Sequence, residues 1–307
     1  MIYDLEQFPF HLVCPACHGT LSTTEKQLQC TACKHSYPVD NGFPDLIIGD
    51  KFEDESDDVC LCYEEESNQY TASQFWLPLF RKYQQLVDRP LNILTVGCGT
   101  GVEVDILCSA GFNCVGIDNG NRTRVWPNRT HSNRFLLANG MKLPFNDGSF
   151  DVVFCGCVFP HVGVIGDSVY VSENYLTDRE SLASEMARVT TSGGHIVVSS
   201  PNRHFPFDIF HGRQPGSYTP RFNRPGERFL LTARDYAEMF SHCGCSNLSA
   251  QPTLGYWGFV RSKKSLKGMI FSMPFRFIFW LTSLSSFAWL RTSLISPWLV
   301  LTTKKNP

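Results

Sequence analysis

Residues 91–101 read LNILTVGCGTG, 102–112 VEVDILCSAGF and 113–120 NCVGIDNG, and this stretch decides the fold. Asn92 to Val96 is a short, β-branched apolar run of the kind that forms a strand buried on both faces. It stops at three glycines in alternate positions, Gly97, Gly99 and Gly101, which allow a tight turn and a close ligand. Val104, Leu107 and Ala110 then recur at helical spacing, Gly111 closes the helix, and a second apolar run, Asn113 to Ile117, ends at Asp118. The order is strand, glycine turn, helix, strand, acid. Free N–H groups at the helix start and an acid able to accept both hydroxyls of a ribose describe a nucleoside-binding unit.

A dinucleotide site of the form G-x-G-x-x-G places its third glycine where this chain has Val102; the pattern here is G-x-G-x-G. Further on, Arg134 to Ala138 reads as a strand ending in Asn139-Gly140-Met141, and residues 143–162 read LPFNDGSFDVVFCGCVFPHV. Together these segments resemble the class I S-adenosylmethionine-dependent methyltransferases. An NAD-type site, or a βαβ unit with no cofactor, remains as the alternative.

The resemblance implies a Rossmann-like α/β fold: a seven-stranded methyltransferase sheet with helices on both faces. It gives cofactor roles to Gly97, Gly99, Gly101, Asp118, Asn139 and Gly140. Tyr70, in a helix expected before the first strand, would cover the cofactor, and Cys155 to Phe159 would lie against its methylthio end. Two departures stand out. The family usually has an acid near Asn139, and many relatives have Glu where this chain has Pro160, beside His161. An amide still accepts a hydrogen bond through its carbonyl, and the ordinary pKa of His161 suits proton abstraction.

Cys14-Pro-Ala-Cys17 and Cys30-Thr-Ala-Cys33 are two C-x-x-C pairs flanking residues 18–29, a spacing that suits tetrahedral zinc in a ribbon over residues 1–49. Disulfides, redox chemistry or an iron–sulfur cluster are the alternatives, and His18 and His35 read as bystanders. About fifty residues bury little, so the metal is expected to supply folding energy. The acidic run from Asp50 to Glu66 predicts a solvated linker over 50–69, ahead of the methyltransferase domain at 70–307.

Thr177 and Glu180 form a capping-box pattern for a helix ending at Gly193-Gly194, and His195 to Ser200 reads as the fifth strand. The loop 200–212, SPNRHFPFDIFHG, carries His204 and His211 as further candidate bases, with Phe205, Phe207 and Phe210 as an expected acceptor pocket. Thr232 caps a helix to His242; Ser246 to Pro252 and Trp298 to Lys304 read as closing strands. Between them, residues 268–297 are strongly apolar, and the longest charge-free stretch, Phe277 to Leu290, is about six residues short of a membrane span. A hydrophobic cap or interfacial insertion at about 261–297, flanked by the basic 261–267, is expected, with lipid contact at a membrane surface.

The chain has 307 residues, of which 43% are hydrophobic and 18% charged, and the net charge of −2 offers no field for gripping nucleic acid. The thirteen cysteines stand behind an N-terminus, MIYDLEQFPF, without a basic leader or apolar core. Reduced cysteines and a cytoplasmic protein, peripheral to a membrane, are therefore expected. The sequence thus points to methyl transfer from S-adenosylmethionine to a small aromatic or hydrophobic molecule, with O-methylation favoured. An rRNA or tRNA methyltransferase and a non-catalytic S-adenosylmethionine-binding scaffold are the rivals.

Overall fold

The computed structural model describes residues 5–24, 27–49, 51–52, 58–166, 168–211, 221–223, 226, 228–260 and 262–307. Four short antiparallel strands come first: β1 (Leu21–Thr23), β2 (Gln27–Cys30), β3 (Ser36–Asp40) and β4 (Phe43–Pro44). Helices α1 (Asp58–Thr71) and α2 (Leu77–Gln84) follow, joined through a π-turn at Ala72–Trp76. Then come β5 (Asn92–Val96), α3 (Val102–Ser109), β6 (Asn113–Asp118), β7 (Phe135–Leu137), β8 (Phe150–Gly156), α4 (Tyr175–Val189) and β9 (Thr190–Pro201). The two-residue strands β10 (Phe207–Asp208) and β11 (Arg221–Phe222) pair with each other. The chain finishes with α5 (Ala233–His242), β12 (Cys245–Ala250), α6 (Leu266–Ser283) and β13 (Trp298–Lys305).

The expected seven-stranded sheet is present, in the order β12-β13-β9-β8-β5-β6-β7. Strands β5 to β9 run parallel, and β13 runs antiparallel to both of its neighbours. From β5 the chain winds outward through β6 and β7, then returns to lay β8 on the other side of β5. That reversal opens a crevice beyond the carboxyl ends of β5 and β8, where ligands of such sheets bind. Buried Ile93, Leu94, Val96, Val152, Val153 and Ile196 hold the sheet from both faces.

Two helix boundaries differ from the sequence reading. Helix α4 begins at Tyr175 after Asn174, so Thr177 sits within the first turn and forms no cap; the buried stripe of Arg179, Leu182 and Met186 sets its start. It ends at Val189, where the Thr190 hydroxyl donates to Met186 O at 2.6 Å, and β9 runs through Gly193 and Gly194. At α5 the Thr232 side chain accepts from Asp235 N–H and Asp235 returns the bond, a complete capping box.

The acidic stretch forms helix α1 from Asp58 onward in place of a solvated linker; residues 53–57 lie outside the described residues. Its charge is matched by the segment after β6: Arg122 Nε donates to Glu64 Oε2 at 2.8 Å, and Arg129 pairs with Glu65. Charge density alone reads as solvation; here partners distant in sequence neutralise it.

The four ribbon sulfurs converge, with Cys14 Sγ 3.7 Å from Cys33 Sγ and Cys17 Sγ 3.5 Å from Cys30 Sγ. All four lie within 4.8 Å of one another. Tetrahedral zinc with Zn–S bonds near 2.3 Å separates its sulfurs by about 3.8 Å, so this donor set fits the metal. The ribbon also shares the main core: Leu28 and Leu46 are fully buried in the same cluster as Leu94 and Val96. Leu46 N–H donates to Leu137 O at 2.8 Å and Val13 N–H to Pro144 O at 3.0 Å, so the ribbon extends the edge beside β7.

Because metal, ribbon and sheet share one buried cluster, stripping zinc with a chelator should lower the midpoint of the whole chain's thermal transition. Differential scanning calorimetry checks this; a separate small transition that leaves the main one unmoved would contradict it.

Candidate functional site

Gly97, Gly99 and Gly101 all take positive φ, at 69°, 52° and 80°. A Cβ on Gly97 would lie 2.3 Å from Val158 Cγ2, so glycine there lets the turn close against the end of β8. Gly101 serves packing instead. It precedes α3 and lies under the Phe135 ring, which a Cβ would meet at 2.6 Å.

Asp118, at the tip of β6, fastens this turn. Its Oδ2 accepts from Gly99 N–H at 2.7 Å, and its Oδ1 accepts from Asn119 and Gly120 N–H at 2.8 Å each. Each carboxylate oxygen has two lone pairs, so Oδ1 is fully used and Oδ2 keeps one for a ribose hydroxyl.

Around these groups lies a cavity of about 880 Å³ lined by Gly97, Gly99, Asp118, Asn139, Gly140 and His161 among others. Ligand sites run to roughly 300–1,000 Å³, so there is room for a cofactor and a second molecule. Asn139 is buried; its Oδ1 accepts from Met141 N–H at 2.9 Å and its Nδ2 donates to Ile48 O at 3.4 Å. A carboxylate cannot make the second bond, which gives this chain a reason for the amide: it ties the ribbon's exit to the pocket floor.

Two further acids, missed in the sequence, line the cavity beside the glycine turn: Glu64 from α1 and Glu103 from the first turn of α3. Burial, with the Glu64 carboxylate nearby, pushes Glu103 up to about 8. At pH 7 Glu103 is thus mostly protonated and Glu64 is paired with Arg122, which also lines the cavity, so these two acids offer hydrogen-bonding groups beside the turn more than net negative charge. Glu64 lies in the run read as linker, and only the fold brings it near Gly99.

Several expected positions are displaced. Tyr70 turns away from the cavity, packing on Gly258 and under the Lys263 ammonium; α1 instead presents Glu64, Asn68 and Thr71. Cys155 is fully buried in the core, and Cys157, two residues on, reaches the lining. His204 is exposed and remote. Phe205 packs on Phe275 and Phe207 on Phe222, while Phe210 stacks behind Trp257 and Trp298, so the aromatic wall belongs to Tyr256, Trp257 and Trp298. Helix α6 contributes nothing to the lining, so the 261–297 segment is no lid in this structure.

Also on the cavity, His161 Nε2 stands 3.2 Å from His211 Nε2, and the other His211 nitrogen, Nδ1, stands 3.0 Å from Asp208 Oδ2. Asp208 has no exposed surface. Burial alone would raise its pKa, but the His211 bond, the Phe210 N–H and Arg221 outweigh that and hold it below the usual value. His161 is pushed down to about 3 by burial, His211 and Arg122, so its imidazole is neutral at pH 7. Burial also pushes the Cys157 thiol up.

Residues 94–198 match a family described as a methyltransferase domain, and residues 12–42 match the Trm112p-like proteins. An uncharacterized methyltransferase of Mycolicibacterium gilvum is 36% identical over 115 residues, 36% of this chain and 39% of that protein. The 2-methyl-6-phytyl-1,4-hydroquinone methyltransferase of Synechocystis is 32% identical over 118 residues, 36% of this chain and 32% of its own. The chloroplastic tocopherol O-methyltransferase of Arabidopsis thaliana is 26% identical over 115 residues, 35% of this chain and 29% of its own. The chain spans well under half the length of these relatives.

The buried Glu103 carboxyl yields a pH signature. With its folded pKa raised from 4.5 to about 8, its contribution to stability is full below pH 4.5 and is lost as pH rises through 8. Glu103→Gln should therefore flatten the fall in melting temperature between pH 5 and 8. Thermal melts across that range check it; an unchanged slope would contradict it.

Proposed function

We propose that this chain, a methyltransferase domain behind a Trm112p-like ribbon, transfers the methyl group of S-adenosylmethionine to a hydroxyl of a small, apolar aromatic molecule. The observation that carries the reading is the lining of the glycine turn, where a ribose-accepting Asp118 is joined by Glu64 and Glu103. S-adenosylmethionine carries an ammonium and a sulfonium, and its chemistry is an electrophilic methyl group.

The chain's residues would hold and align it. Asp118 Oδ2 takes a ribose hydroxyl, Gly97 and Gly99 leave the backbone open beside its amino acid end, and Asn139 and Gly140 meet the base. Methyl transfer is an in-line displacement, so alignment and exclusion of water carry most of the rate. A hydroxyl acceptor must also lose a proton. With a base pKa of about 3, His161 is a poor final acceptor. It passes the proton to His211, whose Nδ1–H the Asp208 carboxylate holds in place.

The acceptor class follows from the aromatic lining. Trp257 and Trp298 offer flat apolar faces, and Trp257 Nε1 is buried without a partner among the described residues, a donor for an oxygen on an aromatic ring. The hydroquinone and tocopherol named for two relatives are oxygenated aromatic molecules of this kind.

The molecule's outer surface agrees. Helix α6 buries Ser272, Phe279 and Thr282 against the body and leaves Phe271, Met273, Phe277 and Trp280 turned outward, an apolar face on the surface. Among the described residues no single helix is long and apolar enough to cross a membrane; α6 and the 3-10 turns at Ser285–Thr292 pass that test only as a pair bent by 118°. With Lys263, Lys264 and Lys267 alongside, this face is proposed to rest in the plane of an anionic lipid surface, from which the acceptor enters.

Calorimetry and turnover together test the site. Asp118→Ala should weaken S-adenosylmethionine binding by about 1.5 kcal/mol or more. His211→Ala and Asp208→Asn should leave that affinity in place and lower turnover on a phenolic acceptor by about 10²-fold. Unchanged affinity in Asp118→Ala would remove the ribose assignment, and normal turnover in His211→Ala the proton path. For the lipid face, the full chain should sediment with anionic vesicles and Phe277→Glu should reduce the bound fraction several-fold; wild-type protein left in the supernatant would contradict it.

A further inference from the structure

Cys157 Sγ lies 3.6 Å from His211 Nε2, which lies 3.2 Å from His161 Nε2, and the three donor atoms all fall within 4.8 Å of one another. One sulfur and two imidazole nitrogens thus face a common point, fixed by three separate segments: the end of β8, the 3-10 turn Phe159–His161 and the chain after β10. The His211 and His161 nitrogens cannot face each other as two lone pairs; a proton or a cation must lie between them.

Three observations favour a cation. First, the His211 Nδ1 is bonded to Asp208 Oδ2 at 3.0 Å, the carboxylate–histidine arrangement that orients metal-bound imidazoles, and Asp208 is itself held by Arg221 at 3.1 Å. Second, Cys157 adopts φ of 58°, a left-handed backbone that is costly for a side chain with a Cβ and that clusters at functional sites. Its N–H donates to Ser199 O at 2.8 Å, which holds the residue in that conformation and its sulfur beside the histidines. Third, a thiol and two imidazoles with a carboxylate behind them is a donor set of the kind that selects zinc.

We propose that Cys157, His161 and His211 bind a zinc ion, separate from the ribbon's. Three protein ligands leave a fourth position, and since Cys157 and His161 line the cavity, that position opens toward the acceptor. Binding displaces the Cys157 thiol proton to solvent. An acceptor hydroxyl bound there loses its proton to solvent as it becomes a metal-held oxyanion, so the metal takes the place of the proton path through the two rings. This deepens the functional reading, but the metal itself is measured without methyl transfer, so the two fail separately.

The test is elemental analysis of the full chain, exposed to excess zinc and desalted, beside Cys157→Ala, His211→Ala and His161→Gln. Each variant should hold one zinc fewer per chain than the wild type, with an unchanged circular dichroism spectrum; the ribbon's metal cancels in the difference. Zinc contents equal to wild type in the folded variants overturn the site. Should Cys157→Ala fail to fold, the two histidine variants decide. Cobalt(II) gives an independent readout: the wild-type minus His211→Ala difference spectrum should contain a thiolate-to-cobalt charge-transfer band, and a difference without one overturns the Cys157 assignment.

Discussion

Three backbone N–H groups, those of Gly99, Asn119 and Gly120, converge on the single carboxylate of Asp118. That convergence holds together the carboxyl ends of β5 and β6, and the cavity depends on it. Without an acceptor at Asp118, the glycine turn would lose the contact that keeps its positive-φ backbone in place and its N–H groups satisfied. The turn in turn leaves space for Val158 at the end of β8, so the two sides of the crevice are set by one small network.

The cavity mixes acidic, imidazole, thiol and indole groups. It presents carboxyls, with Glu103 held mostly protonated at pH 7 by burial, together with the neutral His161 imidazole, a thiol and indole faces. Arg122 is paired with Glu64, so helix α1 takes part in setting the cavity's electrostatics.

The seven-stranded sheet, through the family resemblance, and the βαβ unit were legible because their signals are local: Asn92 to Val96, the alternate glycines and Asp118 lie within one stretch of about thirty residues, and periodicity reports burial. The four ribbon cysteines were legible for the same reason. What escaped depends on contacts distant in sequence. Glu64 reads as solvated charge until Arg122, 58 residues away, neutralises it. His211 was visible as a candidate but not its bond to His161, and His204, equally plausible by type, is on the surface. Cys155 and Cys157 differ only in which side of the strand's end they occupy, and the left-handed backbone at Cys157 that brings it to the cavity leaves no trace in residue type. The Phe-rich loop reads as pocket lining because aromatics belong to pockets, yet Phe210 spends its ring on supporting Trp257 and Trp298.

The ribbon and the outer helix frame this cavity from outside. Through Leu46, Val13 and the Ile48 carbonyl the ribbon fixes the edge of the sheet and the Asn139 side chain. The central claim is that the glycine turn, Asp118, Glu64 and Glu103 select S-adenosylmethionine over a nicotinamide dinucleotide. Side-by-side calorimetric titration of the full chain with S-adenosylmethionine and NAD measures this most directly. One molecule of S-adenosylmethionine bound per chain with no heat from NAD is the result predicted; saturable binding of NAD with none of S-adenosylmethionine would contradict it.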